Sequence, residues 1–256
     1  MKTFLGYNRP VLTTMLKGKC KKELMFEIEV ARLQGTDAFG MQIDLLPTVE
    51  RNRSDLKDLF DAMGDKPAYI TNYTRGNISE KPQSDEELVE EMYMALDCGA
   101  TLFDLRTDTF DRQPDEFSAD EKAIARQIEV VKNVHSMGKE VLMSTHTLKY
   151  ETPERVMEIM KAQEARGADI CKLVTNADTD EEEFQAFENL FALSRGLKVP
   201  YLYLINGKKN LRHRRLSSAL GNYLFLTTID GKDGVTQPPL SVAKAMLRTI
   251  EIKDLP

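Results

Sequence analysis

The chain has 256 residues, 41% hydrophobic and 30% charged, the balance of an ordinary globular protein and a length that one large domain can fill. A net charge of −6 and an isoelectric point near 5.3 argue against nucleic acid or an anionic membrane as partner, while leaving room for a small anion in a local cationic pocket. Cys20, Cys98 and Cys171 stand far apart without CxxC spacing, so neither a disulfide framework nor a zinc site is indicated. The opening MKTFLGYNRP holds no long apolar run and no later stretch reaches the length of a membrane span, so a reducing cytoplasm is the expected compartment.

From residue 10 onward a short apolar run followed by a charged helical run recurs along the chain. Residues 10–16 (PVLTTML) read as a strand and 21–35 as a helix ending at Gly35. A strand at 37–46 leads to a helix at 54–64, with Ser54 as N-cap and Gly64 as C-cap. Strand three is 67–73, and the helix at 84–99 opens with Ser84 and Glu87 at capping-box spacing. Residues 100–106 form strand four, and the polar loop TDTFDRQPDEF leads to a helix at 118–138. KEVLMSTH (139–146) is a buried strand ending on His146; a helix at 153–166 follows, and GADICKLVT (167–175) is a second buried strand with Lys172 inside it. The helix at 179–196 has capping-box spacing from Thr179 to Glu182. Strand seven is 199–205, a helix occupies 208–221, strand eight is 222–228, and Pro238 or Pro239 starts a last helix running to 252.

Eight strand–helix units with no composition shift or linker predict a single α/β domain over 1–256, a (β/α)8 TIM barrel. Glycines close the helices before the next strand at 35, 64, 99, 138, 167 and 196, where a left-handed turn suits them. An open doubly wound sheet is the runner-up, but no strand is followed by GxGxxG or GxxxxGK[ST].

A barrel puts its site at the C-terminal ends of the strands. Polar candidates there are Thr14, Gln42, Asp44, Asn72 and Tyr73 in the first half, with Arg75 in the loop beyond. The second half offers Asp104, Arg106, Ser144, His146 and Lys172, then Tyr203, Asn206 and Thr227, with Arg214 and Gln237 in later loops. Lys172 is the most telling, being flanked by Ile170, Cys171, Leu173 and Val174. A desolvated lysine loses its proton more readily and can attack a ketone, whereas a structural lysine there snorkels to solvent or pairs with a carboxylate. His146, at the end of the preceding strand, is the acid/base partner that Schiff-base chemistry needs.

At these residues the sequence resembles the type I 3-dehydroquinate dehydratase family. VLMSTH resembles its catalytic-histidine strand and ADICKLV its Schiff-base strand, which implies His146 as general acid/base and Lys172 as the imine-forming amine. LRHRRLSSALGN followed by QPPLSV is similar to its late substrate loops. There the carboxylate-binding arginine corresponds best to Arg214, with Arg212 and Arg215 as alternatives. The resemblance implies a metal-free and cofactor-free barrel, a homodimer, acting in the shikimate pathway on a carboxylated cyclic hydroxyketone. Its departures lie in strands two and three. Gly40-Met41-Gln42-Ile43-Asp44 keeps only the aspartate of an ExRxD motif, and Thr71-Asn72-Tyr73 lacks the arginine of a TxR ending. No residue of that region replaces the glutamate that supports the histidine. Arg106 or Arg75 is the candidate replacement cation, and Gln237 stands two residues from the position of a loop glutamine.

The leading expectation is therefore a lyase dehydrating 3-dehydroquinate through a lysine imine, with Gln42, Asp44, Tyr73, Arg106, Arg214 and Gln237 contacting substrate. The alternatives are a Schiff-base enzyme for another polyhydroxylated cyclic ketone, and a barrel that binds a metabolite without catalysis. A metal-dependent aldolase on Asp44, Asp104 and His146 is disfavoured because only one of the three histidines is well placed. KKNLRHRR (208–215), six basic residues in eight, reads as part of the barrel mouth rather than a nucleic-acid surface, since no aromatics interleave it.

Overall fold

Strand and helix alternate throughout the computed structural model, which describes residues 3–73, 83–231 and 236–249. The strands are β1 (Val11–Met15), β2 (Ala38–Gln42), β3 (Ala68–Thr71), β4 (Leu102–Arg106), β5 (Glu140–His146), β6 (Ile170–Asn176), β7 (Tyr201–Asn206) and β8 (Leu224–Thr227). The helices are α1 (Lys21–Gln34), α2 (Arg53–Ala62), α3 (Asp85–Cys98), α4 (Glu121–Ser136), α5 (Pro153–Ala165), α6 (Asp180–Gly196), α7 (Asn210–Leu216) and α8 (Leu240–Thr249). All ladders are parallel, in the order β7-β6-β5-β4-β3-β2-β1-β8. The chain is the expected (β/α)8 TIM barrel.

The barrel closes between β7 and β8 through one side chain and a backbone bond. Asn222 accepts from Tyr203 N at 2.7 Å and donates to Tyr203 O at 2.8 Å, and Tyr223 N donates to Tyr201 O at 2.8 Å. The amide presents the donor and acceptor that a neighbouring strand would, so Tyr203 N and O are both satisfied at the seam.

Alternation along each strand sorts the side chains into two layers. Val11, Ala38, Leu102, Leu142, Ile170, Leu202 and Leu224 fill the barrel interior, with Phe4 sealing it from the N-terminal side. Their neighbours Phe39, Met41, Phe103, Val141, Met143, Cys171 and Leu173 face the helices in the larger apolar cluster. Toward the C-terminal ends the interior turns polar, as a barrel site requires.

The capping boxes at Ser84–Glu87 and Thr179–Glu182 form as read. Several expectations differ in detail. The second helix is capped by Asn52, whose side chain accepts from Asp55 N at 3.0 Å, and Ser54 lies inside it. Gly35, Gly64, Gly99, Gly138 and Gly167 take positive φ, but Gly196 remains helical and Leu197 follows as the cap. The second strand ends at Gln42, and Ile43–Leu45 form a 3-10 turn that buries Ile43 and Asp44. The stretch read as a helix over 208–221 is α7 followed by a 3-10 turn over Ser217–Leu220. The last helix begins at Leu240, while Pro239 bridges Thr228.

Candidate active site

The alternation that puts Ile170 and Val174 in the barrel interior also turns Lys172 inward, where it is 5% exposed. Its Nζ lies 2.6 Å from Tyr73 Oη, 2.9 Å from Tyr69 Oη and 3.3 Å from Asp104 Oδ2. Both phenols donate to that same Asp104 oxygen, and Ser144 Oγ donates to the other. An ammonium thus faces a buried carboxylate directly and through two hydroxyls. Burial, then the charge of Asp104, raises both phenol pKa values well above their usual range, so the phenols remain protonated donors.

His146 ends β5, one strand over. Its Nδ1 is 2.8 Å from Glu116 Oε2, and its backbone N donates to the same oxygen at 3.1 Å. A carboxylate only accepts, so Nδ1 carries the proton of this contact, and acid/base exchange with a bound molecule falls to Nε2. Glu116 comes from the loop after β4, in a left-handed conformation (φ 53°) held by Thr107, which donates to its carbonyl at 2.6 Å. A non-glycine residue kept in that region by its surroundings is a recurrent feature of functional sites. The rings of Tyr73 and His146 meet edge to face at 5.0 Å.

Lys172, His146, Tyr69, Tyr73 and Thr71 line one side of an open cavity of about 540 Å³, and Gln42, Lys17, Asn206, Arg214 and Gln237 line the other. Met15, Val174, Leu204 and Leu226 supply its apolar surface. Arg214 reaches it from α7, donating to Ile205 O at 2.8 Å and Asn206 Oδ1 at 2.7 Å. Desolvation lowers the Arg214 pKa to about 10, which still leaves a cation. Lys17 stands at the solvent-exposed rim; desolvation by the walls lowers its pKa, Glu27 opposes that and Arg214 adds to it.

Of the residues expected from sequence, Lys172, His146, Gln42, Tyr73, Arg214 and Gln237 meet at this cavity. Asp44 and Arg106 are not among its lining residues. Asp44 is buried in the turn beyond β2, where its carbonyl accepts from Arg51 at 3.1 Å. Arg106 forms a two-point pair with Asp108 at 2.8 and 2.6 Å and donates to Tyr73 O at 3.3 Å, so it touches the site through the Tyr73 backbone. Arg75 lies outside the described residues. Arg212 pairs with Glu183 on the outer face and Arg215 is turned to Leu211 O, leaving Arg214 as the arginine of this run at the cavity. The run is no continuous basic face: Lys209 pairs with Asp180, and His213 is buried between Phe187 and Tyr203, its pKa lowered to about 3 by desolvation and then by Arg214.

Tyr69, Thr71, Lys17 and Glu116 were missed. Tyr69 shares a strand face with Thr71 and Tyr73, so period-two spacing could have found it. Lys17 stands two residues past the end of β1, where a rim cation could have been sought. Glu116 lies in a polar loop without periodicity, and nothing local marks it; it supplies, from after β4, the histidine-supporting carboxylate that strands two and three lack.

Among solved structures the chain is similar to 3-dehydroquinate dehydratase from Geobacillus kaustophilus, at 15% identity and a TM-score of 0.82, covering 99% of this chain and 97% of that one. It is also similar to type I 3-dehydroquinate dehydratase from Clostridium difficile with covalently modified comenic acid, at 19% identity and a TM-score of 0.79 over 96% and 95%. The enzyme from Enterococcus faecalis matches at 15% identity and a TM-score of 0.78 over 98% and 99%. At these identities the likeness is one of fold. No curated protein sequence matches the chain. No helix among the described residues is long and apolar enough to cross a membrane. The type I 3-dehydroquinase model matches residues 12–254, nearly the whole chain, and the chain belongs to that family.

Proposed function

We propose that this chain is a Schiff-base-forming hydro-lyase that dehydrates 3-dehydroquinate to 3-dehydroshikimate. The observation that carries this reading is the meeting of Lys172 and a Glu116-oriented His146 at one cavity, with a buried arginine on its far side. In the reaction Lys172 attacks the ring ketone and loss of water gives a cationic imine. The imine acidifies the neighbouring C–H, His146 removes that proton, and the β-hydroxyl departs as water after protonation by His146. The lysine itself is the electron sink, so this chemistry calls for no metal or organic cofactor. Arg214, with Lys17 beside it at the rim, suits the substrate carboxylate, and Gln42, Asn206 and Gln237 suit its hydroxyls.

A second reading keeps the imine and changes the ketone. It is favoured by Gln42 and Tyr73, which stand where the family's arginines are expected and cannot reproduce a guanidinium fork. Borohydride reduction with 3-dehydroquinate, followed by intact mass and peptide mapping, tests both. A stable adduct on Lys172, lost in Lys172→Ala, is the expected result. A folded protein that yields no adduct with this substrate but yields one with another cyclic ketone moves the assignment to the second reading.

A further inference from the structure

The two phenols beside Lys172 have no part in the chemistry just described, yet each is bonded to the reacting nitrogen and to Asp104. We propose that Tyr73 is a catalytic residue of this site, passing a proton from Lys172 to Asp104 before attack and returning it to the departing oxygen as the imine forms. This rests on the Schiff-base reading of Lys172 and assigns imine formation a proton carrier separate from His146.

The step balances as follows. An N–H bond of the Lys172 ammonium breaks and its proton goes to Tyr73 Oη, while the Tyr73 O–H proton goes to Asp104 Oδ2. The phenol stays neutral, the carboxylate becomes an acid, and the nitrogen gains a lone pair. That pair forms the bond to the ketone carbon, leaving an alkoxide and a nitrogen with two protons. One of these moves to the alkoxide, giving the carbinolamine. Asp104 then returns its proton through Tyr73 to the carbinolamine hydroxyl, the C–O bond breaks, water departs, and the remaining nitrogen lone pair forms the C=N bond. Imine nitrogen keeps one proton, and Asp104 is a carboxylate again.

Geometry selects Tyr73 among the possible routes. The direct path from Nζ to Asp104 is 3.3 Å, the Tyr69 bridge starts at 2.9 Å and the Tyr73 bridge at 2.6 Å. Tyr73 also packs against His146, on the side where substrate enters, and it lies past the end of β3, nearer the mouth than Tyr69. The attacked oxygen is one carbon from the nitrogen, so a hydroxyl bonded to the nitrogen is within reach of that oxygen. The Asp104 side chain is fully buried, and the Oδ2 that faces Nζ accepts from both phenols, so each phenol bridges the nitrogen to that oxygen. The raised phenol pKa suits a group that relays a proton without resting as phenolate.

The test is the rate of imine formation, read by rapid mixing and borohydride quench with 3-dehydroquinate and, in parallel, with acetaldehyde, which has neither ring nor carboxylate. In Tyr73→Phe the rate of adduct formation on Lys172 is expected to fall ~10²-fold or more with both carbonyls, and its solvent deuterium isotope effect to shrink. Tyr69→Phe, which keeps the shorter bridge, is expected to lose clearly less than Tyr73→Phe and to keep the isotope effect. Wild-type rates and isotope effect in Tyr73→Phe overturn the relay, as does an equal loss in Tyr69→Phe. An adduct with acetaldehyde alone refutes the 3-dehydroquinate reading while the relay is decided on acetaldehyde. No adduct with either carbonyl overturns the imine and the relay together.

Discussion

The β4–β6 side of the mouth and the β1–β3 side are built to different rules. On the first, Ser144 and Lys172 turn inward to meet at Asp104, and Glu116 folds in from a loop to hold the imidazole of His146 at the end of β5. On the second, Met15, Gly40 and Tyr69 pack inside the barrel, and Gln42 stands where a charged motif is expected. A Cβ on Gly40 would lie 2.1 Å from Met15 Sδ and 3.3 Å from Tyr69 Cδ1, so the space a glutamate would need there is already filled. Lys172 and His146 are held by hydrogen bonds and Gly40 and Met15 by volume, while Tyr69 belongs to both arrangements. A change of substrate can therefore be made on one wall while the reaction is kept on the other.

The largest effect is expected from breaking the polar side. Lys172→Met abolishes the adduct and leaves Asp104 buried without its cation. Removing one partner of a buried pair costs about 3–5 kcal/mol, the lower end applying because Tyr69, Tyr73 and Ser144 still donate to the carboxylate. Adding Asp104→Asn should recover much of the loss, since no charge is then stranded. Chemical denaturation of the single and double variants reads the coupling directly. Additive losses would mean that Asp104 does not hold the lysine.

Most of the polar side was legible in the sequence because a strand's alternation fixes which residues look inward, and strand ends in a barrel face the mouth. Alternation turns Lys172 inward and His146 stands at a strand end, while their roles came from the family resemblance. Glu116 was not legible, because its place depends on how an aperiodic loop folds back onto β5. Asp44 was misplaced for a different reason. Ile43, Leu45 and Leu46 extend the apolar run of β2, and an apolar run does not distinguish a strand from a buried turn. Asn52 and Ser54 are both good caps two residues apart, and only the backbone path decides between them. The packing of Met15 and Tyr69 against Gly40 joins three strands, and no local pattern reveals it.

A smaller effect separates the two sides kinetically. Glu116→Gln keeps the shape and removes the charge that orients and supports His146, so kcat should fall ~10–100-fold with KM little changed. Arg214→Ala should raise KM at least ~10-fold, because it removes a positioning contact shared by the bound and reacting states. Steady-state assays on the ketone that forms the Lys172 adduct compare the two. A KM effect from Glu116→Gln, or a pure kcat effect from Arg214→Ala, would dissolve the division.

The smallest effect tests whether the β1–β3 wall is set by volume. Gly40 does not need a left-handed backbone, so the cost of Gly40→Ala is one of space alone. Met15 can shift its flexible end, but the Tyr69 ring is anchored by Asp104 and Lys172, which limits the relief. Overpacking of this kind costs about 1–3 kcal/mol. Met15→Ala alone destabilises by opening a cavity, and the double variant should be more stable than the two single losses predict, by about 1 kcal/mol, because the new methyl enters the vacated space. Strict additivity in denaturant titrations would show that Met15 and Gly40 are independent. Coupling, with tighter binding of a bulkier ketone in Met15→Ala, would show that the space beside Gly40 decides which ring Lys172 can reach.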